Sequence, residues 1–312
     1  MQRRHVLFRV MVLLLLFSVG LPVHGATDTA DIHWYDQDNS VLRVGDSERL
    51  IHFSVDDVSV ELQDLAENEA SYRSIWTSPY FSLLRRAHNA GGCCITLNCF
   101  TDYNGFHITS LPINSVWQKE LQEASGWLRF AFHAKENRKY RNGQSMLADY
   151  NDFVHGILRL TGSLQCIDRI TRLGFFTASE ENLLELADAV PGCVGFLCAD
   201  TQGFVSYCLT EDEALEVWQQ GCIYDESRGI VFIKSLPRMD SGRSANDIIK
   251  IIQSDFHATD HFVEIFFHSP VREIKTTAFS HIAKWAASHG YRNAFPMDEI
   301  IHDTNSAGDQ AQ

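Results

Sequence analysis

Two adjacent carboxylates, Asp56 and Asp57, close the alternating run LIHFSVDDV and are the first residues of this sequence with evident chemical use. Side by side they repel, which favours a shared proton or a bound cation. The same dipeptide would also serve as the cap of a helix that follows, and by itself it does not separate the two readings. Further along, Asn98, His133, Asp200 and His268 each stand at or just past the end of an apolar run. A single histidine in such a place is more often a satisfied structural residue than a ligand. Core packing asks for no convergence of two histidines and two aspartates at four strand ends, so the constellation outweighs any one of its members.

To meet, these residues need strands that end together. Ile51, Phe53 and Val55 alternate with His52 and Ser54, the period of a half-buried strand. Acidic residues are poor strand formers, so Asp56 and Asp57 mark its carboxyl end. Ser78 and Pro79 read as the N-cap and first turn of a helix with the buried stripe Phe81, Leu84 and Ala87, ended by Gly91. Cys94–Phe100 and Trp127–His133 are the second and third strands; a short helix lies within Leu111–Glu123, and Met146–Leu160 is helical in pattern. Arg172–Phe176 is a fourth strand, followed by a capping box, Thr177-x-x-Glu180, that opens a helix over Glu181–Ala189. Val194–Cys198 is a fifth, ending at Asp200. Phe204–Leu209 and Ile230–Lys234 are further strands around the acidic helix Glu211–Gln219, and Ile248, Ile249, Ile251 and Ile252 fall on one helix. Phe262–Phe267 is the last strand. Ser269 and Pro270 then start a final helix with the stripe Ile274, Ile282, Trp285 and Ala286, closed by Gly290.

This alternation predicts an α/β fold, a distorted (β/α) barrel of about seven parallel strands, with the polar strand ends gathered at its carboxyl mouth. A doubly wound open sheet is the competitor. Against it, no Gly-rich phosphate loop follows any strand, and no nucleotide cofactor is expected.

The chain has 312 residues, 45% of them hydrophobic and 20 of them Phe, ample for a packed core. Its net charge is −14 with no basic stripe, a poor match to nucleic acid and a better one to a neutral or cationic substrate. Gln2–His5 precede a greasy run from Val6 to Leu21, with small residues at Gly25 and Ala26. Residues 1–25 read as a signal peptide; Arg9 makes the run short for a spanning helix, and a retained anchor is the alternative. Loss of the three arginines in that segment takes the charge from −14 to −17. Either way the domain, residues 26–302, is expected to be exported (secreted, periplasmic or on the cell surface), with a polar tail over 303–312. A membrane would be met only through the uncleaved N-terminal segment. Eight cysteines would permit four disulfides, but most lie in apolar strand-like runs and none forms a Cys-x-x-Cys pair. Mostly reduced core thiols are expected, with one or two bridges left open.

From about Ile51 to His289 the sequence resembles the polysaccharide deacetylases of carbohydrate esterase family 4, especially their divergent deacetylase-like relatives. FSVDDV is similar to that family's first motif, which implies Asp56 as catalytic base and Asp57 as metal ligand. WLRFAFHAKEN resembles the second, implying His133 as a ligand. TRLGFF is similar to the arginine motif, implying that Arg172 orients the base, and Asp200 sits where an acidic partner for that arginine is usual. VEIFFH ends as the last motif does, implying His268 as general acid. The resemblance implies a divalent metal (zinc, or cobalt, nickel or manganese) and a carbohydrate substrate that loses an N- or O-acetyl group. Such a cation polarises the acetyl carbonyl and acidifies water, Asp56 takes the water's proton, and His268 protonates the departing amine.

The chain also departs from the family. The second motif normally supplies two histidines four residues apart, and here Asn137, a weaker ligand, holds the later position, leaving Glu136, water or another side chain to complete the shell. Gly174 stands where many of the divergent relatives carry a polar side chain. Tyr103, Phe106 and Tyr140 lie near the expected mouth, suited either to stacking on sugar rings or to ordinary loop packing. His257-x-x-x-His261 has metal-pair spacing but precedes the last strand, at the wrong end of the barrel. Three functions stay open: a metal-dependent deacetylase, a non-catalytic glycan-binding barrel, and a hydrolase of the same fold acting on another C–N bond. Asp56, Arg172 and His268 together favour the first over the second, and Asn137 favours the second.

Overall fold

In the computed structural model, which describes residues 40–41, 49–137, 139–140, 145–254, 257, 260, 262–270, 273–299 and 301–302, strand β1 (Arg49–Val58) is buried from Leu50 to Asp56. The expected signal peptide, the polar tail and His261 lie outside the described residues. Ile51, Phe53 and Val55 face outward into the main hydrophobic core, where the Phe53 ring lies 4.6 Å from that of Phe279. His52, Ser54 and Asp56 face the barrel interior and are no more than 1% exposed. The half-buried strand expected from the sequence is therefore buried on both faces. Its polar face meets Glu264, Thr96 and Arg172 instead of water.

Strand β1 lies between β2 (Ile95–Phe100) and β8 (Phe262–His268), and β2 pairs with β3 (Leu128–Ala134), all in parallel. A second sheet holds β4 (Ile170–Thr171), β5 (Gly195–Leu197) and β7 (Ile230–Ile233) in parallel, with β6 (Cys222–Asp225) antiparallel on the outer edge of β7. Two seams join the sheets. Phe130 of β3 makes a parallel bridge to Ile167, just before β4. On the other side the Leu236 N–H, three residues past β7, donates to the Glu264 carbonyl of β8. Seven parallel strands thus run in a distorted ring, the barrel the alternation predicts. A short strand, β9 (Tyr291–Asn293), pairs with the start of β1. Beneath the polar interior a small apolar cluster, including Leu50, Ile170, Val231 and Phe262, fills the barrel.

The helices follow their local signals. Helix α1 (Val60–Glu67) comes directly after β1. Helix α2 (Pro79–Gly91) opens with the Ser78 hydroxyl accepting the Phe81 N–H and closes on Gly92, whose φ is 74°. Gly91 itself is required by packing: a Cβ there would sit 2.8 Å from the Ser280 Cα of helix α8 (Glu273–Ser288). Helices α3 (Ser115–Ala124), α4 (Leu147–Thr161), α6 (Glu211–Gln220) and α7 (Ala245–Ile252) fall where periodicity predicts them.

Two expected strands are absent from their places. Strand β4 stops at Thr171, and Gly174–Phe176 forms a 3₁₀ turn in which Phe175 and Phe176 have φ of 58° and 53°. Aromatic residues favour strands, but here the chain must turn away to leave Arg172 inside. Helix α5 (Glu180–Ala187) is accordingly capped by Ser179, which accepts the Asn182 N–H, and not by Thr177. Phe204–Leu209 is a series of turns; the partner of β7 is β6, through a hairpin the sequence reading missed. The eight cysteines are free thiols, six of them buried, and burial pushes Cys193 and Cys198 up to about 12. Among the described residues no helix is long and apolar enough to cross a membrane.

Replacing Phe53 by alanine would remove a ring from the centre of the outward core and is expected to cost about 3–5 kcal/mol. Urea unfolding of the two proteins checks this, and a cost below about 1 kcal/mol would contradict the packing described.

Candidate functional site

Successive residues of a strand face opposite sides, so a regular β1 could not bring Asp56 and Asp57 to one place. A bulge resolves this. The β1–β2 register shifts between Val55 and Val58, and Asp57 adopts a left-handed φ of 61°, a strained conformation for any residue with a Cβ. Asp56 remains inside while Asp57 turns to the mouth. The helix-cap alternative fails, because α1 begins at Val60 with Ser59 at its N-cap.

Asp56 is held by its Oδ1, which accepts from Asn98 Nδ2 at 2.8 Å and from Arg172 Nη1 at 3.0 Å. Arg172 is fully buried, with Phe266 stacked 3.9 Å from its guanidinium. Burial works against its charge, but Asp56 and Glu264 outweigh it and hold the pKa above the ordinary value. For Glu264, burial pushes the carboxyl upward; the charge and hydrogen bond of His52, with Arg172 and Ser54, bring it below the usual range.

His133 donates from Nδ1 to the Arg172 carbonyl at 2.5 Å, which leaves the lone pair of Nε2 pointing 3.3 Å from Asp57 Oδ1. Two acceptors at that separation need a proton or a cation between them. Burial raises the Asp57 carboxyl, yet with a proton on Nε2 the hydrogen bond and charge of His133 prevail and hold its pKa below the ordinary value.

His268 ends β8 and is the register partner of Asp56 on β1. Its backbone N–H donates to Asp240 Oδ1 at 3.2 Å, and its Nδ1 donates to Asp240 Oδ2 at 2.5 Å. Nε2 is thereby left to face the mouth. Desolvation lowers the His268 pKa, but the Asp240 hydrogen bond and the charges of Asp56, Asp240 and Asp57 raise it overall. Next to it, the Ser269 hydroxyl donates to Glu61, a carboxyl that burial pushes up.

The other expected residues are placed differently. Asp200 does not reach Arg172: its Oδ2 accepts from the Arg238 N–H at 3.1 Å, and the second carboxylate on Arg172 is Glu264. Asn137 and Glu136 are exposed, and among the described residues no contact joins either to Asp57 or His133. Nor do three or more His, Cys, Asp or Glu side chains among the described residues gather as a metal cluster. Tyr140 is buried, its hydroxyl donating to Asp149 at 2.7 Å and accepting the Lys135 N–H at 2.9 Å, which commits its ring to the core and not to a sugar. Phe106 is likewise buried, and Tyr103 packs partly against the core. His257 lies in a buried ion cluster with Lys234 and Asp260. Sequence reasoning missed Asp240 and Glu264. Asp240 lies in a single 3₁₀ turn, Met239–Ser241, with no pattern to mark it, whereas a lone acid in the apolar strand FVEIFFH was a legible signal.

No protein-family model matches this chain, and no curated protein does. Among solved structures it is similar to a peptidoglycan N-acetylglucosamine deacetylase at 9% identity, over 80% of this chain and 86% of the other, with a TM-score of 0.42. A Mycobacterium smegmatis protein designated a polysaccharide deacetylase is similar at 13% identity, over 82% and 90%, with a TM-score of 0.45. What the site can do follows from its side chains.

Asp240→Asn removes the charge that favours the imidazolium, so the His268 titration midpoint is expected to move down, as followed by its ring resonances in NMR. Because the folded pKa lies above the ordinary 6.5, this group adds stability that is complete below about pH 6.5 and is lost as pH rises through the folded value. The variant should weaken that dependence, since only Asp56 and Asp57 then raise the group, and an unchanged midpoint would separate Asp240 from His268.

Proposed function

We propose that this barrel is a hydrolase that removes acetyl groups from a carbohydrate by acid–base-assisted attack of water. One observation carries the reading: a carboxylate and a histidine stand on the same rung of adjacent strands, Asp56 opposite His268, and each is clamped by its own partner, Arg172 and Asp240. A structural core has no use for a braced acid and a braced base facing one opening.

Asp57 and His133 would hold a divalent cation such as zinc, cobalt, nickel or manganese. These two donors suit such an ion: His133 Nδ1 is fixed on a backbone carbonyl, as in ligating histidines generally, and Nε2 lies 3.3 Å from Asp57 Oδ1. Such an ion would polarise an acetyl carbonyl and acidify water. Asp56, with Oδ1 occupied by Asn98 and Arg172, offers Oδ2 to the attacking water and takes its proton. His268, whose Nδ1 proton is committed to Asp240, delivers its Nε2 proton to the departing amine or alcohol. Acetate and the deacetylated sugar leave. The apolar run after Arg3 and Arg4 supports export of the domain to act on a polymer outside the cytoplasm.

A second reading, a glycan-binding barrel without turnover, is favoured by one observation: with Asn137 exposed, two protein donors remain where catalytic zinc usually has three.

Elemental analysis and acetate release separate the two. Wild type is expected to carry about one divalent ion per chain, lost in Asp57→Ala and His133→Ala, and to release acetate from N-acetylglucosamine oligomers of the chitin or peptidoglycan type. Asp56→Asn should lower kcat by about 10² or more with the metal retained. Absence of bound ion in wild type, even with excess metal, would sink the hydrolytic mechanism and leave the binding module.

A further inference from the structure

Arg172 is shared by two carboxylates on opposite edges of its guanidinium. Nη1 donates to Asp56 Oδ1 at 3.0 Å and Nη2 to Glu264 Oε1 at 3.1 Å. Ser54 links the edges, accepting from Nη1 at 2.7 Å and donating to Glu264 Oε1 at 2.6 Å, while Ser235 accepts from Nη2 at 2.9 Å. Nε has no partner among the described residues, so the hold on this side chain lies at its two terminal nitrogens and the Phe266 ring.

Glu264 is braced from behind. Its Oε2 meets His52 Nδ1 at 2.5 Å, His52 Nε2 meets the Thr96 hydroxyl at 3.0 Å, and that hydroxyl meets Asp168 Oδ2 at 2.5 Å. The Phe295 ring covers His52 at 5.4 Å. All four polar groups are at most 2% exposed. Burying a carboxylate costs several kcal/mol before any partner is found, and an apolar side chain of similar size would fill the same space without that cost. The register partner of Glu264 is His52, not Arg172, so pairing with the guanidinium is no accident of adjacency in the sheet.

We propose that Glu264 is a positioning residue for the base: it anchors the far edge of the Arg172 guanidinium, so that the near edge is delivered to Asp56 Oδ1 and Oδ2 is presented to water in one orientation. His52, backed by Thr96 and Asp168, holds Glu264 in that place. The inference deepens the hydrolase reading and rests on it. Nothing in it depends on Asp200, which is engaged with Arg238.

The test compares wild type with Glu264→Gln, which keeps shape and an acceptor oxygen while removing charge, and with the double variant His52→Leu plus Glu264→Leu, which replaces the buried pair by apolar groups compatible with folding. In both, kcat for acetate release is expected to fall about tenfold or more with KM within about twofold, since a misaimed base weakens the transition state and not substrate binding. Metal content should be unchanged, and circular dichroism checks that each variant is folded. A folded variant with wild-type kcat overturns the proposal. If wild type releases no acetate from any glycan, it is the hydrolase reading that fails, and the Arg172 Nη proton resonances decide the positioning without turnover. Separate signals in wild type that merge through free rotation in Glu264→Gln support the anchor; signals unaltered by the substitution overturn it.

Discussion

A guanidinium buried between two carboxylates organises the interior of this protein. Moving Arg172 out of water is expensive, and the cost is recovered only when both terminal nitrogens find charged or hydroxyl partners at good geometry. Asp56 and Ser54 come from β1, Glu264 from β8 and Ser235 from just beyond β7, so the cation draws together strands from both sheets of the barrel. The two-residue strand β4 ends immediately before Arg172, and the backbone then turns sharply through Phe175 and Phe176 at positive φ. That turn places the side chain inside and directs the Arg172 carbonyl to His133. One residue thus braces Asp56 with its side chain and sets the tautomer of His133 with its backbone.

The second constraint is the bulge at Asp57. A strand can deliver one of two neighbouring carboxylates to a given face; a left-handed residue and a register shift deliver both. The result is a graded pair. Asp56 is enclosed and hydrogen-bonded, whereas Asp57 is 37% exposed beside His133 at the opening. Strain of this kind persists where the surroundings over-determine the conformation, and here β2, β8 and α1 all converge on the same few residues.

Below the opening, the barrel is polar in its middle layer and apolar beneath. Inward positions of β1 read Leu50, His52, Ser54 and Asp56, and those of β8 read Phe262, Glu264, Phe266 and His268, paired rung by rung. An apolar floor, an ionic layer and a rim carrying Asp56 and His268 follow one another along the same two strands. The ionic layer separates the floor from the rim.

Much of this was legible in the sequence. The parallel α/β barrel follows from alternating strands and helices, because period and capping are local properties; Ser78 and Pro79 open their helix as expected, while the cap falls on Gly92 and not on Gly91. Asp56, Asp57, His133 and His268 were recognisable because polar residues at the ends of apolar runs are conspicuous. What the sequence could not state is which polar group meets which. The period-two pattern of β1 is the same whether its polar face meets water or a buried guanidinium. Asp200 and Glu264 are equally acidic, and only the closed ring put Glu264 across from Arg172. Asp240 is unmarked in its 3₁₀ turn and acquires meaning 2.5 Å from His268. Asn137 stood at a ligand's spacing but follows the end of β3 in a bend that leaves it exposed and, among the described residues, without contact to His133. Element type is set by neighbours along the chain; partners in a site are set by the closure of the barrel, which joins residues 28 to 212 positions apart.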